Sequence, residues 1–135
     1  LYLGADEYCA FMESIGRGVL KTRFVPRSVL ELRGLSKILI KGALRLIDMA
    51  SSGGLTRLGA EGGLTNSAAY ENSQRWSEAL RGHPIKPDGI YYRSRHDPAR
   101  IACALFDSCA AVVEVAELCG SWAEQPALLA EILDH

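Results

Sequence analysis

No stretch of the 135-residue chain approaches the roughly eighteen consecutive apolar residues that a membrane helix needs, and no basic region followed by an apolar stretch opens it. Neither a membrane span nor a signal peptide is supported, and a cytoplasmic protein is expected. The four cysteines, Cys9, Cys103, Cys109 and Cys119, never fall in C-x-x-C spacing, and His83, His96 and His135 show no ligand-like spacing to any of them. We therefore expect reduced, buried thiols and no metal. Thirteen glycines form neither a G-x-G-x-x-G fingerprint nor a Walker A loop, which argues against a Rossmann dehydrogenase and a P-loop NTPase. A G-x-S-x-G elbow is missing too.

What is present is an ordinary globular balance, 48% hydrophobic and 23% charged, enough for one domain with its own core. The net charge of −1 hides an asymmetry. Residues 17 to 45 carry eight Lys or Arg and one acid, Glu31, whereas residues 101 to 135 carry six acids and no Lys or Arg. Such halves mark an anion-binding face, a charged partner, or simply solvated surfaces. Only Phe24 offers a ring for base stacking in the basic segment, so no direct nucleic-acid contact is expected.

Leu1 to Leu3 reads as a strand end, followed by a helix over 6–15 with Asp6 and Glu7 in its acidic first turn. Tyr8, Phe11, Met12 and Ile15 form its apolar stripe, and Glu13 lies at the stripe's edge beside Cys9, where helix meets core. The glycine in "KILIKGALRLIDM" favours a tight turn at Gly42 between strands over 37–40 and 44–49. A glycine-rich loop follows, then a helix from Asn66 or Ser67 through Leu80, stopped by Gly82 and Pro84. Strands are expected over 89–94 and 101–106, joined by a turn at "HDPA". "AAVVEVAEL" reads as another strand, and "PALLAEILDH" as a final helix with Pro126 first. Helices and strands without β-α-β alternation predict an α+β domain.

The densest polar stretch, "GIYYRSRHDPAR" at 89–100, brings Ser94, His96 and Asp97 close together. A triad needs the histidine's two nitrogens held by different partners, whereas neighbours on an extended chain point opposite ways, so a self-contained hydrolase site is rejected. Alternation puts Ile90, Tyr92 and Ser94 on one face and Tyr91, Arg93 and Arg95 on the other. The plainer reading is an ordinary strand with a core tyrosine and solvated arginines. Tyr2 and Glu13 have plain readings as well, as a strand tyrosine and as a surface glutamate pairing with Arg17.

Taken in order, "LYLGADEYCAFMESIGR", "LIDMAS" with its Gly-Leu loop, "AAYENSQRWSEALR" and "DGIYYRSRHDPARIACALF" resemble the RES domain. That family is named for an Arg, a Glu and a Ser and includes toxins of bacterial toxin-antitoxin pairs that degrade NAD+. The resemblance implies a mainly antiparallel α+β fold similar to ADP-ribosyltransferases and a single domain over 1–135. It matches the family's tyrosine to Tyr2, its glutamate to Glu13 and its serine to Ser94. The family arginine normally stands on a "GRFN"-like stretch about ten residues ahead of the tyrosine, so an N-terminally truncated domain is expected. In that chemistry Glu13 stabilises an oxocarbenium-like state at the ribose or orients the acceptor, Tyr2 positions the nicotinamide, and Ser94 hydrogen-bonds the ligand. NAD+ enters as substrate and no cofactor is implied. The implied partner is a helix-turn-helix antitoxin, and a homo-oligomer is compatible. The alternative is a non-catalytic module of the same fold, binding a protein or nucleic-acid partner through the basic segment.

Overall fold

A computed structural model describes residues 1–16, 24–51 and 78–134. Short extended runs separated by turn residues yield two sheets rather than one. The larger is built from β1 (Tyr2–Gly4), β3 (Leu46–Asp48), β4 (Gly89–Arg93) and β5 (Ile101–Leu105), in the order β1-β5-β4-β3. β5 runs antiparallel to both β1 and β4, and β3 lies parallel to β4. The smaller sheet is an antiparallel ribbon of β2 (Gly34–Ile40) and β6 (Val113–Ser121).

Beside the sheets lie α1 (Glu7–Ser14), α2 (Arg27–Leu32) and α3 (Pro126–Asp134), with the end of a further helix at 78–81. Short 3-10 segments, Asp107–Val112 and Trp122–Glu124, flank β6. The result is an α+β domain with mainly antiparallel sheets, as its composition and element pattern predict. Among the described residues no helix is long and apolar enough to cross a membrane.

α1 starts where Asp6, in extended conformation, accepts the Cys9 N–H on Oδ1 at 2.8 Å. This satisfies one of the amide groups that a helix start leaves without an internal partner. The helix then works on two sides. Phe11 and Ile15 enter the core with Trp122, Leu129 and Ile132, and the Phe11 and Trp122 rings meet edge to face at 5.2 Å between centroids. The opposite side, carrying Cys9 and Glu13 one turn apart, lies toward the larger sheet. Gly4 allows this approach, since a Cβ there would stand 2.5 Å from the Ala10 backbone nitrogen.

The expected turn at Gly42 is present as a bend. Strands do lie on either side of it, but β2 pairs with β6 and β3 with β4, so the two belong to different sheets and form no hairpin. Lys41 N–H bonds the Val112 carbonyl, and Gly42 lies tight against Val112, where the chain leaves the ribbon for the larger sheet. α2 had no counterpart in the sequence reading. The glycine-rich loop beyond Ser51 and most of the helix expected through Leu80 lie outside the described residues. Its end is visible at 78–81, where Gly82 N–H bonds the Glu78 carbonyl.

The charge asymmetry has a structural answer. β2 brings its lysines against the glutamates of β6: Lys37 meets Glu117 at 3.1 Å and Lys41 meets Glu114. Arg27 pairs with Glu31, Arg33 donates to the Ser14 carbonyl, and Arg45 donates to the Ile85 carbonyl. Every described cation of the basic segment thus has a partner inside the domain.

Candidate active site

Register decides which side chains share the sheet surface under α1. Tyr2 is opposite Ala104, which is opposite Ile90; Gly4 is opposite Ala102, which is opposite Tyr92. Directly paired residues point to the same face, and alternation along β4 adds Ser94 to it. Tyr2, Tyr92 and Ser94 therefore lie on the face that α1 covers, with Gly4, Ala102 and Ala104 leaving the helix room to approach.

Ser94 is 2% exposed, the one polar residue among the buried residues described. Its hydroxyl donates to Glu13 Oε1 at 2.7 Å, joining residues 81 apart in sequence. The same oxygen accepts the His96 and Asp97 N–H groups at 3.2 and 3.3 Å. The hydroxyl proton is thereby directed at the carboxylate, and the backbone beyond the strand is folded around Ser94. Among the described residues, Glu13 Oε2 has no hydrogen-bond partner. One carboxylate oxygen is thus held in place by Ser94.

Tyr92 is half-buried beside this pair. Burial raises its phenol well above the ordinary tyrosine value, and the neighbouring Glu13 carboxylate, Tyr2, Cys9 and Cys103 push in the same direction. The phenol therefore keeps its proton over the whole physiological range. Burial likewise raises the Cys9 thiol as its largest cause, so Cys9 is protonated and weakly nucleophilic. Tyr2 is 79% exposed and stands at the open rim of this face.

The segment after Ser94 is closed as a turn. Ser94 N–H bonds the Arg100 carbonyl at 2.9 Å, Arg100 N–H bonds the Asp97 carbonyl, and Ala99 N–H bonds Asp97 Oδ1. Asp97 and His96 are turn residues, in keeping with rejection of the triad. Arg100 reaches back to α1: Nη1 lies 2.6 Å from Asp6 Oδ2, Nε lies 3.3 Å from Asp97 Oδ2, and the guanidinium stacks 4.3 Å over the Tyr8 ring centroid. The hydrogen bond to Asp6 is the main reason its pKa is raised further above the ordinary arginine value. On the other side of the turn, Arg93 donates to the carbonyls of Ala50 and Pro98, tying the end of β3 to the hairpin.

Of the three residues singled out in the sequence, the structure brings Glu13 and Ser94 into direct contact and sets Tyr2 on their face at its rim. Tyr92 and Arg100 were not singled out. Alternation already placed Tyr92 beside Ser94, whereas nothing in the spacing of Arg100 announces a link to Asp6, 94 residues earlier. Among the described residues no group of three or more His, Cys, Asp or Glu is arranged to hold a metal ion.

The arrangement defines a class: an α+β domain that sets a carboxylate from its first helix against a buried serine just past the end of a central strand, beside tyrosines on the same sheet face. The chain belongs to the RES domain family, whose model matches residues 1–126. No curated protein and no solved structure matches it.

Proposed function

We propose that this protein consumes NAD+ by cleaving the bond between nicotinamide and ribose, as a glycohydrolase or phosphorylase on an ADP-ribosyltransferase-like fold. The observation that supports it best is the Ser94 to Glu13 hydrogen bond at 2.7 Å, on a sheet face shared with Tyr2 and Tyr92. Two residues corresponding to the family's Glu and Ser meet across 81 positions without forming an ion pair, an arrangement suited to orienting a carboxylate.

In this reading the C1′–N bond of the nicotinamide riboside breaks with its electron pair, nicotinamide leaves as a neutral amide, and positive charge grows on the ribose. Glu13 stabilises that charge through its carboxylate, as carboxylates do in glycoside cleavage. Water or phosphate then attacks C1′ and its proton passes to solvent. Ser94 fixes the carboxylate's orientation, Tyr92 supplies a neutral phenol to the pocket floor, and Tyr2 positions the nicotinamide at the rim. The protein would act in the bacterial cytoplasm as a toxin held in check by a helix-turn-helix antitoxin protein.

Incubation with NAD+, with and without phosphate, tests this directly. Loss of NAD+ with release of nicotinamide is expected, and ADP-ribose or its 1-phosphate identifies the acceptor. Glu13→Ala abolishes the reaction if the assignment holds. Intact NAD+ under both conditions rejects the enzymatic reading; full activity of Glu13→Ala rejects the residue. The alternative, a non-catalytic module using its basic segment, gains little support here because the described cations of that segment are already partnered.

A further inference from the structure

We propose that Arg100 is a positioning residue that clamps the start of α1 to the serine turn and so sets the geometry of the Glu13 and Ser94 pair. Its role rests on the reading of that pair as the NAD+ site, while the clamp itself consists of hydrogen bonds in the structure.

The contacts form a closed circuit. Asp6 Oδ1 accepts the Cys9 N–H at the start of α1, and Asp6 Oδ2 accepts Arg100 Nη1. Arg100 Nε donates to Asp97 Oδ2, and the Asp97 N–H donates to Ser94 Oγ. Ser94 then donates to Glu13, two helical turns beyond Asp6, and the helix backbone closes the ring. Each link is local except the two that cross from the turn to the helix, Arg100 to Asp6 and Ser94 to Glu13. Removing the Arg100 link leaves the Ser94 to Glu13 bond and the neighbouring backbone bond from the Ala5 N–H to the Ile101 carbonyl to hold the helix to this turn.

Only a guanidinium suits this place. It needs two donors diverging toward two carboxylates and a flat face for the Tyr8 ring, and its side chain is 23% exposed, sheltered enough for these contacts to hold. A lysine has the charge but neither the fork nor the face. Arg100 has no described contact with Glu13 or Ser94 side chains, so its effect on chemistry passes through the turn.

The test has one arm that needs no catalysis. In Arg100→Gln, amide hydrogen exchange at Cys9, His96 and Asp97 should accelerate about tenfold or more while the β2 and β6 amides stay as they were. Unchanged exchange at those three positions overturns the clamp, whatever the protein's activity. If the native chain consumes NAD+, Arg100→Gln should lower kcat about tenfold with KM changed less than about twofold, and Arg100→Lys should recover part of the loss. Combined with Ser94→Ala it should slow the reaction no further than Ser94→Ala alone, because both act through one contact. Additive losses overturn the proposal. A native chain that leaves NAD+ intact rejects the functional reading and leaves the exchange result to decide the clamp; should Arg100→Gln not fold, Arg100→Lys carries the same exchange measurement.

Discussion

The larger sheet with α1 and the β2–β6 ribbon handle charge and polarity in opposite ways. In the ribbon, lysines and glutamates face one another across neighbouring strands, exposed on both partners, with Leu118 and Val115 also open to solvent. Under α1, a buried hydroxyl, a carboxylate and an N-cap are joined by bonds spanning most of the chain. Exposed pairs gain little because water screens them and flexible side chains lose entropy in forming them. Sheltered ones are costly to break, since a group left without a partner keeps its desolvation penalty. The contrast separates surface from site without any reference to family.

Substitutions on the two sides should therefore differ sharply. The largest effect is expected for Glu13→Gln, which keeps shape and hydrogen bonding but removes the charge: NAD+ consumption should fall about a hundredfold or more, with little change in melting temperature. A nicotinamide-release assay beside a thermal melt checks both halves. Gly4→Ala should cost about 1–3 kcal/mol in urea unfolding, because the new methyl must displace backbone of α1 rather than a flexible side chain. Ser94→Ala should cost a comparable amount, about 1–3 kcal/mol, leaving two amides and a carboxylate oxygen short of a partner. If it proves neutral, the polar face is less sheltered than its burial implies.

Effects in the ribbon should be smaller. Gly120 has φ of +84°, and a Cβ there would stand 2.6 Å from the Glu124 carboxylate oxygen, so Gly120→Ala should cost about 1 kcal/mol in urea unfolding through backbone strain and displacement of that side chain. Glu124 accepts from the backbone and side chain of Ser121, which holds its carboxyl below the ordinary value, the backbone bond being the larger cause. A depressed folded-state value means its contribution is complete above the unfolded-state value and vanishes as pH falls through the folded one. Melting temperatures of Glu124→Gln and the native chain should accordingly converge at low pH and separate near neutrality. Lys37→Gln should leave the unfolding midpoint unchanged within error; a clear loss would erase the distinction between the two regions.

Much of the site was legible because its signals are local or family-wide. Helical spacing put Glu13 beside Cys9, though at the edge of the Phe11 and Ile15 stripe rather than on the side opposite it, alternation put Tyr92 with Ser94, and Asp-Pro marked the turn. What escaped were partnerships between distant segments. Gly42 was legible as a turn between two strands, but a sequence window does not show with which strands each will pair. The charge asymmetry was ambiguous for the same reason: the basic strand β2 and the acidic strand β6 are neighbours in space, some eighty residues apart in the chain. Arg100 is invisible until Asp6 is placed beside it.

The pairing of β1 with β5 carries a consequence for how the protein is made. Glu13 emerges from the ribosome long before Ser94, and the sheet face beneath it stays incomplete until β5 has been synthesised and has closed against β1. Contacts of such long sequence separation form late and together, because loop closure must precede the gains that follow. A nascent chain ending before β4 thus holds the carboxylate but neither Tyr92 of its floor nor its orienting serine turn. Synthesis itself would delay the onset of chemistry until the domain is whole.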